Sequence, residues 1–501
     1  MTLMVWALVI GAFLELLLHV FPRPIKFVLI YMSVAATIFG STGLMALDPN
    51  GCTAVLFLFS LYRVANLARI LVARINPTFL RFASLKTSLV LIVAQLIVGG
   101  CYYAITYFLI PSPVLWSVFA IGTLVTALIV CLFTLRNLRK ATFSPGKEHI
   151  PDSQLPSITV AVPARNETDA LEFSLRSIIG SDYPKLEVIV LDDCSQNKRT
   201  PEIIRGFAQD GVRFLAGKPP ADGWLAKNQA YEQLSSEASG TYIVFMGVDV
   251  TMEPHTLRKI VTTLLAKQKT MMSLLPLRAL ESSSHYSVTQ PMRYFWELAP
   301  PRRLFNRPPT LSSCWIIDRA KLKKYGSFKA VSGSIVPEAY FAKKSLRDND
   351  GYAFALSNVS LGLRSSKTAA AQYQTALRTR YPQLHRRLEL VALLGLAETA
   401  TLLGPFGVIL AVLLGVQVPV LATCAALAAG LFLMASTALI AYRTRINPVF
   451  YAAVTFPAVV LNDLFLLHYS FFKYEFSSVE WKGRNVCIPV LQVIPHLPKL
   501  D

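Results

Sequence analysis

The chain has 501 residues, 53% hydrophobic and 16% charged, which excludes an ordinary soluble enzyme and leaves room for two or three domains. A net charge of +19 admits nucleic acid, anionic lipid or an anionic substrate, and only the placement of the charges separates these. Seven cysteines scattered without metal-ligand spacing imply neither a zinc site nor a disulfide framework.

Five apolar blocks come first, at 2–21, 25–47, 52–73, 87–109 and 114–135, each close to the ~20 residues a helix needs to cross hydrocarbon. The first has no basic leader and no cleavage site, so it reads as an anchor. Arg63 and Arg69 interrupt the third, whose latter half is expected along the interface with its arginines snorkelling to the headgroups. Basic loops carry Arg23 and Lys26, then Arg74, Arg81 and Lys86, then Arg136, Arg139 and Lys140. They alternate with loops near 48–51 and 111–113 that contain no lysine or arginine. This positive-inside alternation predicts an outer N-terminus, five crossings and a cytoplasmic middle domain. Most of the charge is then topological and membrane-facing, and no nucleic-acid partner is expected.

A basic linker at 136–156, with Pro145 and Gly146 in its middle, precedes an alternation of strands and helices. Strands are expected at 158–162, 187–191, 212–215, 242–246 and 272–277, and helices at 172–179, 200–210, 227–237 and 254–267. That rhythm predicts a doubly wound α/β sheet. The segment 285–307 interleaves aromatics and arginines. It reads as an interfacial helix beside an acceptor's entrance, with a solvated helix as the alternative. Three apolar blocks follow, at 388–414, 418–441 and 449–472. Arg443 and Arg445 put the loop before the last block inside, so eight full crossings would leave the tail outside. A re-entrant break at Gly404-Pro405, or at Pro457 with Asn462 and Asp463, would bring it back.

The apolar runs between 158 and 249 end in polar clusters: PARNE at 163–167, DDCS at 192–195, GWLAKN at 223–228 and GVD at 247–249. Strand ends of an open α/β sheet are where ligand-binding groups are presented. In this order the motifs resemble the nucleotide-sugar-dependent glycosyltransferases of family 2, with a GT-A fold. GWLAKN and the tail Trp481-Lys482-Gly483-Arg484 are similar to the membrane branch of ceramide-glucosyltransferase-like and hopanoid- or carotenoid-associated enzymes. The resemblance covers about 155–385 and, more loosely, the C-terminal helices; no family motif covers the five N-terminal helices. It implies an α/β GT-A nucleotide-diphospho-sugar transferase domain over 150–385, between transmembrane bundles at 1–140 and 386–475, with a tail at 476–501.

On the donor side the resemblance sets Pro163, Arg165 and Glu167 beside the nucleobase. Asp192 or Asp193 accepts from a uracil N–H or a ribose hydroxyl, a helix cap or Asx-turn before Thr200 being the alternative. Lys227 and Asn228 follow the Gly223-Trp224 turn and set a cation and backbone N–H groups against a diphosphate; a solvated lysine and packed tryptophan are the alternative. In the family an Asp-x-Asp pair binds Mg²⁺ or Mn²⁺, which bridges the donor's phosphate oxygens. Gly247 replaces the first acid here, and Asp249 keeps the metal-ligand position.

On the acceptor side Glu338 takes the family's general-base position, and Pro337 replaces the acid before it. Such a carboxylate takes the proton as an acceptor hydroxyl attacks the anomeric carbon. A first-turn glutamate behind a proline is the alternative. Arg378, in a segment with Arg380, matches the branch's arginine and either clamps the diphosphate or anchors at the interface. The Gln-x-x-Arg-Trp motif of processive synthases is absent, which favours single-sugar transfer. The resulting expectation is a multi-pass protein of the bacterial cell membrane with a cytoplasmic catalytic domain. It would move one sugar, with inversion, from a UDP-sugar to a hydroxyl of a membrane lipid. A polyprenyl-phosphate acceptor is the runner-up, and the two acidic departures leave room for a homologue that binds without catalysing. The few charges at bilayer depth in the N-terminal blocks count against a transporter.

Overall fold

A computed structural model describes residues 1–21, 23–75, 85–107, 112–146, 150–278, 287–301 and 308–486. Arg81, Cys487 and the ends of the aromatic–arginine segment, 285–286 and 302–307, lie outside them. The N-terminal helices are α1 (Thr2–Leu17), α2 (Arg23–Leu47), α3 (Gly51–Ile75), α4 (Leu85–Tyr107) and α5 (Ser112–Ala141). Of these, α2 to α5 are long and apolar enough to cross a membrane, whereas α1 is apolar but shorter. The third block departs from expectation: α3 is one continuous helix, and its arginines do not snorkel. Arg63 is buried, donating to Glu15 at 2.8 Å and to Gln95 at 2.6 Å. Arg69 faces Glu475 at an N···O separation of 2.8 Å, with side-chain exposures of 10% and 1%.

The central domain is built on a seven-stranded sheet. Its strands are β1 (Ile158–Ala164), β2 (Leu186–Asp192), β3 (Val212–Ala216), β4 (Tyr242–Met246), β6 (Met271–Leu275), β8 (Cys314–Asp318) and β9 (Tyr352–Leu356), in the order β3-β2-β1-β4-β8-β6-β9. The two-residue strands β5 (Val250–Thr251), β7 (Leu277–Arg278) and β10 (Arg364–Ser365) form a small second sheet. Apolar runs such as ITVAV in β1 and YIVFM in β4 are buried on both faces, as strands covered by helices on each side must be. The alternation expected from sequence is present, with two additions to the sheet: β8 enters antiparallel between β4 and β6, and β9 pairs parallel with β6 at the edge. The CWIID run of β8 lies beyond the point where the strand–helix rhythm breaks. Gly240 sits where β1 and β4 begin to pair, and a Cβ there would meet Thr159 N at 2.6 Å. Only glycine fits so close an approach.

Helices α6 (Asp169–Ile179), α7 (Arg199–Gly206), α8 (Ala226–Glu237), α9 (Thr256–Ala266), α10 (Gln290–Leu298), α11 (Arg319–Lys324) and α12 (Pro337–Arg347) follow in chain order. One core lies between the sheet and α6, α7 and α9; the other packs α8 and α12 around Trp315, Phe328 and Phe341. Helix α10 lies in a third core shared with α5 and the C-terminal helices, which joins the domain to the apolar helices. Those helices are α13 (Ala369–Gln383), α14 (Leu388–Glu398), α15 (Gly404–Leu413), α16 (Val420–Thr444), α17 (Val449–Val454) and α18 (Phe456–Phe476). A π-helical turn at Thr399–Leu403 links α14 to α15, so that 388–413 forms one apolar length. The last block is broken between α17 and α18 at Thr455. Helix α18 packs along α13, with Tyr381 N donating to Ser470 Oγ at 3.2 Å and Tyr474 Oη donating to Arg378 O at 2.8 Å. It therefore delivers the closing hairpin, β11 (Glu480–Trp481) and β12 (Arg484–Asn485), to the strand ends of the large sheet.

Candidate active site

The site forms where β1, β2 and β4 end. Register pairs Ala164 with Asp192, so the residues just beyond them, Arg165 and Asp193, become neighbours. Both loops then turn through left-handed residues, Asn166 (φ 49°) and Cys194 (φ 52°). Arg165 donates to Asp193 O at 2.7 Å and to Lys482 O at 3.0 Å. A cavity of about 340 Å³ opens here, lined by Pro163, Arg165, Glu167, Asp193, Lys227, Asp249 and Arg378 among others. These expected site residues come from five separate stretches of chain. A larger cavity of about 770 Å³ adjoins it and shares Lys227, Ser312, Thr375, Arg378 and Trp481.

Three cations dominate the smaller cavity. Lys227 enters from the first turn of α8, Lys367 from the loop after β10, and Arg378 from α13. None of the three has an acidic partner within ion-pair distance among the described residues. Lys367 donates to Thr375 Oγ1 at 2.7 Å, and the Arg378 guanidinium lies 4.7 Å from the centre of the Trp481 ring. Burial pushes the Lys227 and Lys367 ammonium groups down to about 8 and the Arg378 guanidinium down to about 10, and neighbouring cations add to the effect. Helix α8 begins without a side-chain cap, and its first residues line the larger cavity. Uncapped N–H groups beside clustered cations make an anion site.

Asp249 faces these cations from the end of the β4 turn. A Cβ on Gly247 would lie 2.7 Å from Asp249 Oδ1, so the carboxylate occupies the space that a side chain at 247 would need. No group of three His, Cys, Asp or Glu side chains able to hold a metal occurs among the described residues.

Other expected site residues do not line the smaller cavity. Glu338 is fully buried in the first turn of α12, behind the N1 proline, and neither carboxylate oxygen meets a hydrogen-bond partner. Burial pushes its carboxyl up, opposed chiefly by the Lys227 ammonium. Asn228 is buried and donates from Nδ2 to the carbonyls of Val331, Ser332 and Ser334, so its amide ties α8 to the approach of α12. Asp192 accepts from Ser195 N at 3.1 Å, the Asx-turn alternative. Arg380 turns away from the smaller cavity to Glu398 and Asp463. Lys367 carried no sequence signal for the site: it is a lone lysine between elements, brought in when β10 pairs with β5 and β7.

Residues 159–326 match the family model described as Glycosyl transferase family 2. Among curated proteins, the chain is 31% identical over 120 residues to "Probable glycosyltransferase YdaM" of Bacillus subtilis, covering 23% of this chain and 28% of that protein. It is 34% identical over 96 residues to 4,4'-diaponeurosporenoate glycosyltransferase of Staphylococcus aureus, covering 19% and 24%. The matches therefore span about a quarter of these relatives' lengths. Among solved structures, the mannosyltransferase PcManGT from Pyrobaculum calidifontis, in complex with GDP-Man and Mn²⁺, is 20% identical with a TM-score of 0.43, covering 68% of this chain and 98% of that one.

Proposed function

We propose, from a chain whose central domain belongs to glycosyl transferase family 2, a membrane-bound transferase that moves one sugar, with inversion, from a UDP-sugar to a hydroxyl of a membrane lipid. The observation that carries this reading is the set of unpaired cations Lys227, Lys367 and Arg378 around one cavity at the strand ends. Buried cations without partners are costly unless an anion completes them. A donor diphosphate supplies that anion, and the N-terminus of α8 adds oriented N–H groups. A divalent cation held by Asp249 would offset charge on the leaving diphosphate. As the acceptor oxygen bonds to the anomeric carbon, the bond from that carbon to the diphosphate breaks on the opposite face. The acceptor proton passes to a carboxylate, for which Glu338 beside Lys227 is the candidate. The long apolar helices on both sides of the domain favour a lipid acceptor held at the bilayer.

The burial of Glu338 favours a second reading, transfer onto a polyprenyl phosphate, because an ionised acceptor needs no base. Labelled UDP-sugars offered with membrane lipid extract or with polyprenyl phosphate, with and without Mg²⁺ or Mn²⁺, separate the two. Under the first reading Glu338→Gln lowers turnover by about 100-fold or more while UDP binding persists. Under the second it leaves turnover on polyprenyl phosphate intact. Asp249→Asn is expected to remove the response to added metal. Full activity of both variants on every acceptor would reject the roles given to these carboxylates.

A further inference from the structure

The closing hairpin meets the two donor-side loops through charged groups that the family domain at 159–326 does not include. Lys482 Nζ pairs with Glu167, and Arg484 donates to Asp193 Oδ2 at 2.7 Å and to Asp193 O at 3.0 Å. Lys482 O accepts from Arg165 and Asn166. Trp481 lines both the smaller and the larger cavity and stacks against Arg378. Gly483 makes the turn at φ 73°, and a Cβ there would meet Gln196 Oε1 at 2.8 Å.

We infer that the hairpin β11–β12 is a wall of the nucleotide site, in which Trp481 positions Arg378 against the diphosphate while Lys482 and Arg484 cancel the charge of Glu167 and Asp193. The inference rests on the donor reading above. Without the hairpin, two nearly buried carboxylates would face an incoming diphosphate at close range, and like charges in such a setting repel strongly. With it, Glu167 and Asp193 are paired, and the cavity keeps Lys227, Lys367 and Arg378 against the single carboxylate of Asp249. The ring of Trp481 restrains a long guanidinium side chain that has no carboxylate to hold it. Helix α18 ends four residues before β11, so the packing of α18 on α13 fixes where this wall stands.

The test is UDP binding to the full-length protein in lipid nanodiscs, measured by titration calorimetry. Trp481→Ala and Arg484→Ala are each expected to weaken UDP binding by about tenfold. Trp481→Phe, which keeps an aromatic face, should stay within about threefold of wild type. A purely structural role would show instead as a lowered melting temperature with unchanged affinity in the folded fraction. Hydrogen exchange on the unmodified protein gives a second measurement that needs no variant. UDP should slow exchange of the amides at 479–486 together with those at 223–228. Wild-type binding with unchanged affinity in Trp481→Ala and Arg484→Ala, or protection at 223–228 alone, overturns the hairpin's role and leaves the donor reading standing. A wild-type protein that binds no UDP overturns both.

Discussion

Lys227 and Lys367 make a pH prediction whose two halves run in opposite directions. Both ammonium groups are held down at about 8, below the ordinary lysine value of 10.5. Between those values the unfolded chain binds more protons than the folded one, so the lysines contribute a stability that rises with pH across this window. Anion binding needs the protonated form. UDP affinity should therefore fall as pH rises above about 8, by roughly tenfold for each charge lost. Bound diphosphate raises the lysine pKa values, so the fall extends above the value of the free protein. Calorimetric titrations and thermal melts at pH 7 and 9.5 check both halves. In Lys367→Met both slopes should be shallower than in wild type. An affinity that holds steady to pH 9.5 would remove the lysines from the anion site.

At the scale of elements, Asn228 links α8 to the loop before α12, and through that loop sets the depth of Glu338. Its amide serves the carbonyls of Val331, Ser332 and Ser334 from a position with 1% exposure. Asn228→Ala would leave these carbonyls short of a donor, at a cost of about 2–4 kcal/mol. A clear fall in melting temperature is the expected result, and an unchanged one would show that the loop re-pairs elsewhere. The sequence set Asn228 with Lys227 against a diphosphate and did not reveal its tie to the α12 approach, because the carbonyls it serves lie over a hundred positions away. Strand ends were legible for a local reason: each apolar run stops at a polar cluster, and that pattern survives in β1, β2 and β4. Strand β8 was not, since antiparallel insertion between β4 and β6 is a property of the assembled sheet.

At the scale of the whole molecule, the apolar blocks were legible from length and composition, but their buried charges were not. Arg63 reads in sequence as a charge that must reach water, yet Glu15 and Gln95 from two other helices meet it inside the bundle. Arg380 is the same lesson at the seam between domain and apolar helices. It extends from α13 to Glu398 on α14, at 3.0 Å, and to Asp463 on α18, which also accepts from Trp296 Nε1 of α10 at 3.2 Å. Four elements thus meet at one cation, and Glu398 and Asp463 are nearly sealed from solvent. Arg380→Met leaves two buried carboxylates facing each other without their cation, a loss of about 3–5 kcal/mol. Neutralising the acids as well, in Arg380→Met with Glu398→Gln and Asp463→Asn, should restore most of that stability, because amides can pair where repelling carboxylates cannot. Melting temperatures of wild type, single and triple variants in one detergent decide the matter. If the single variant melts with wild type, the seam is held by the apolar packing of α10, α13 and α18 rather than by the charge cluster.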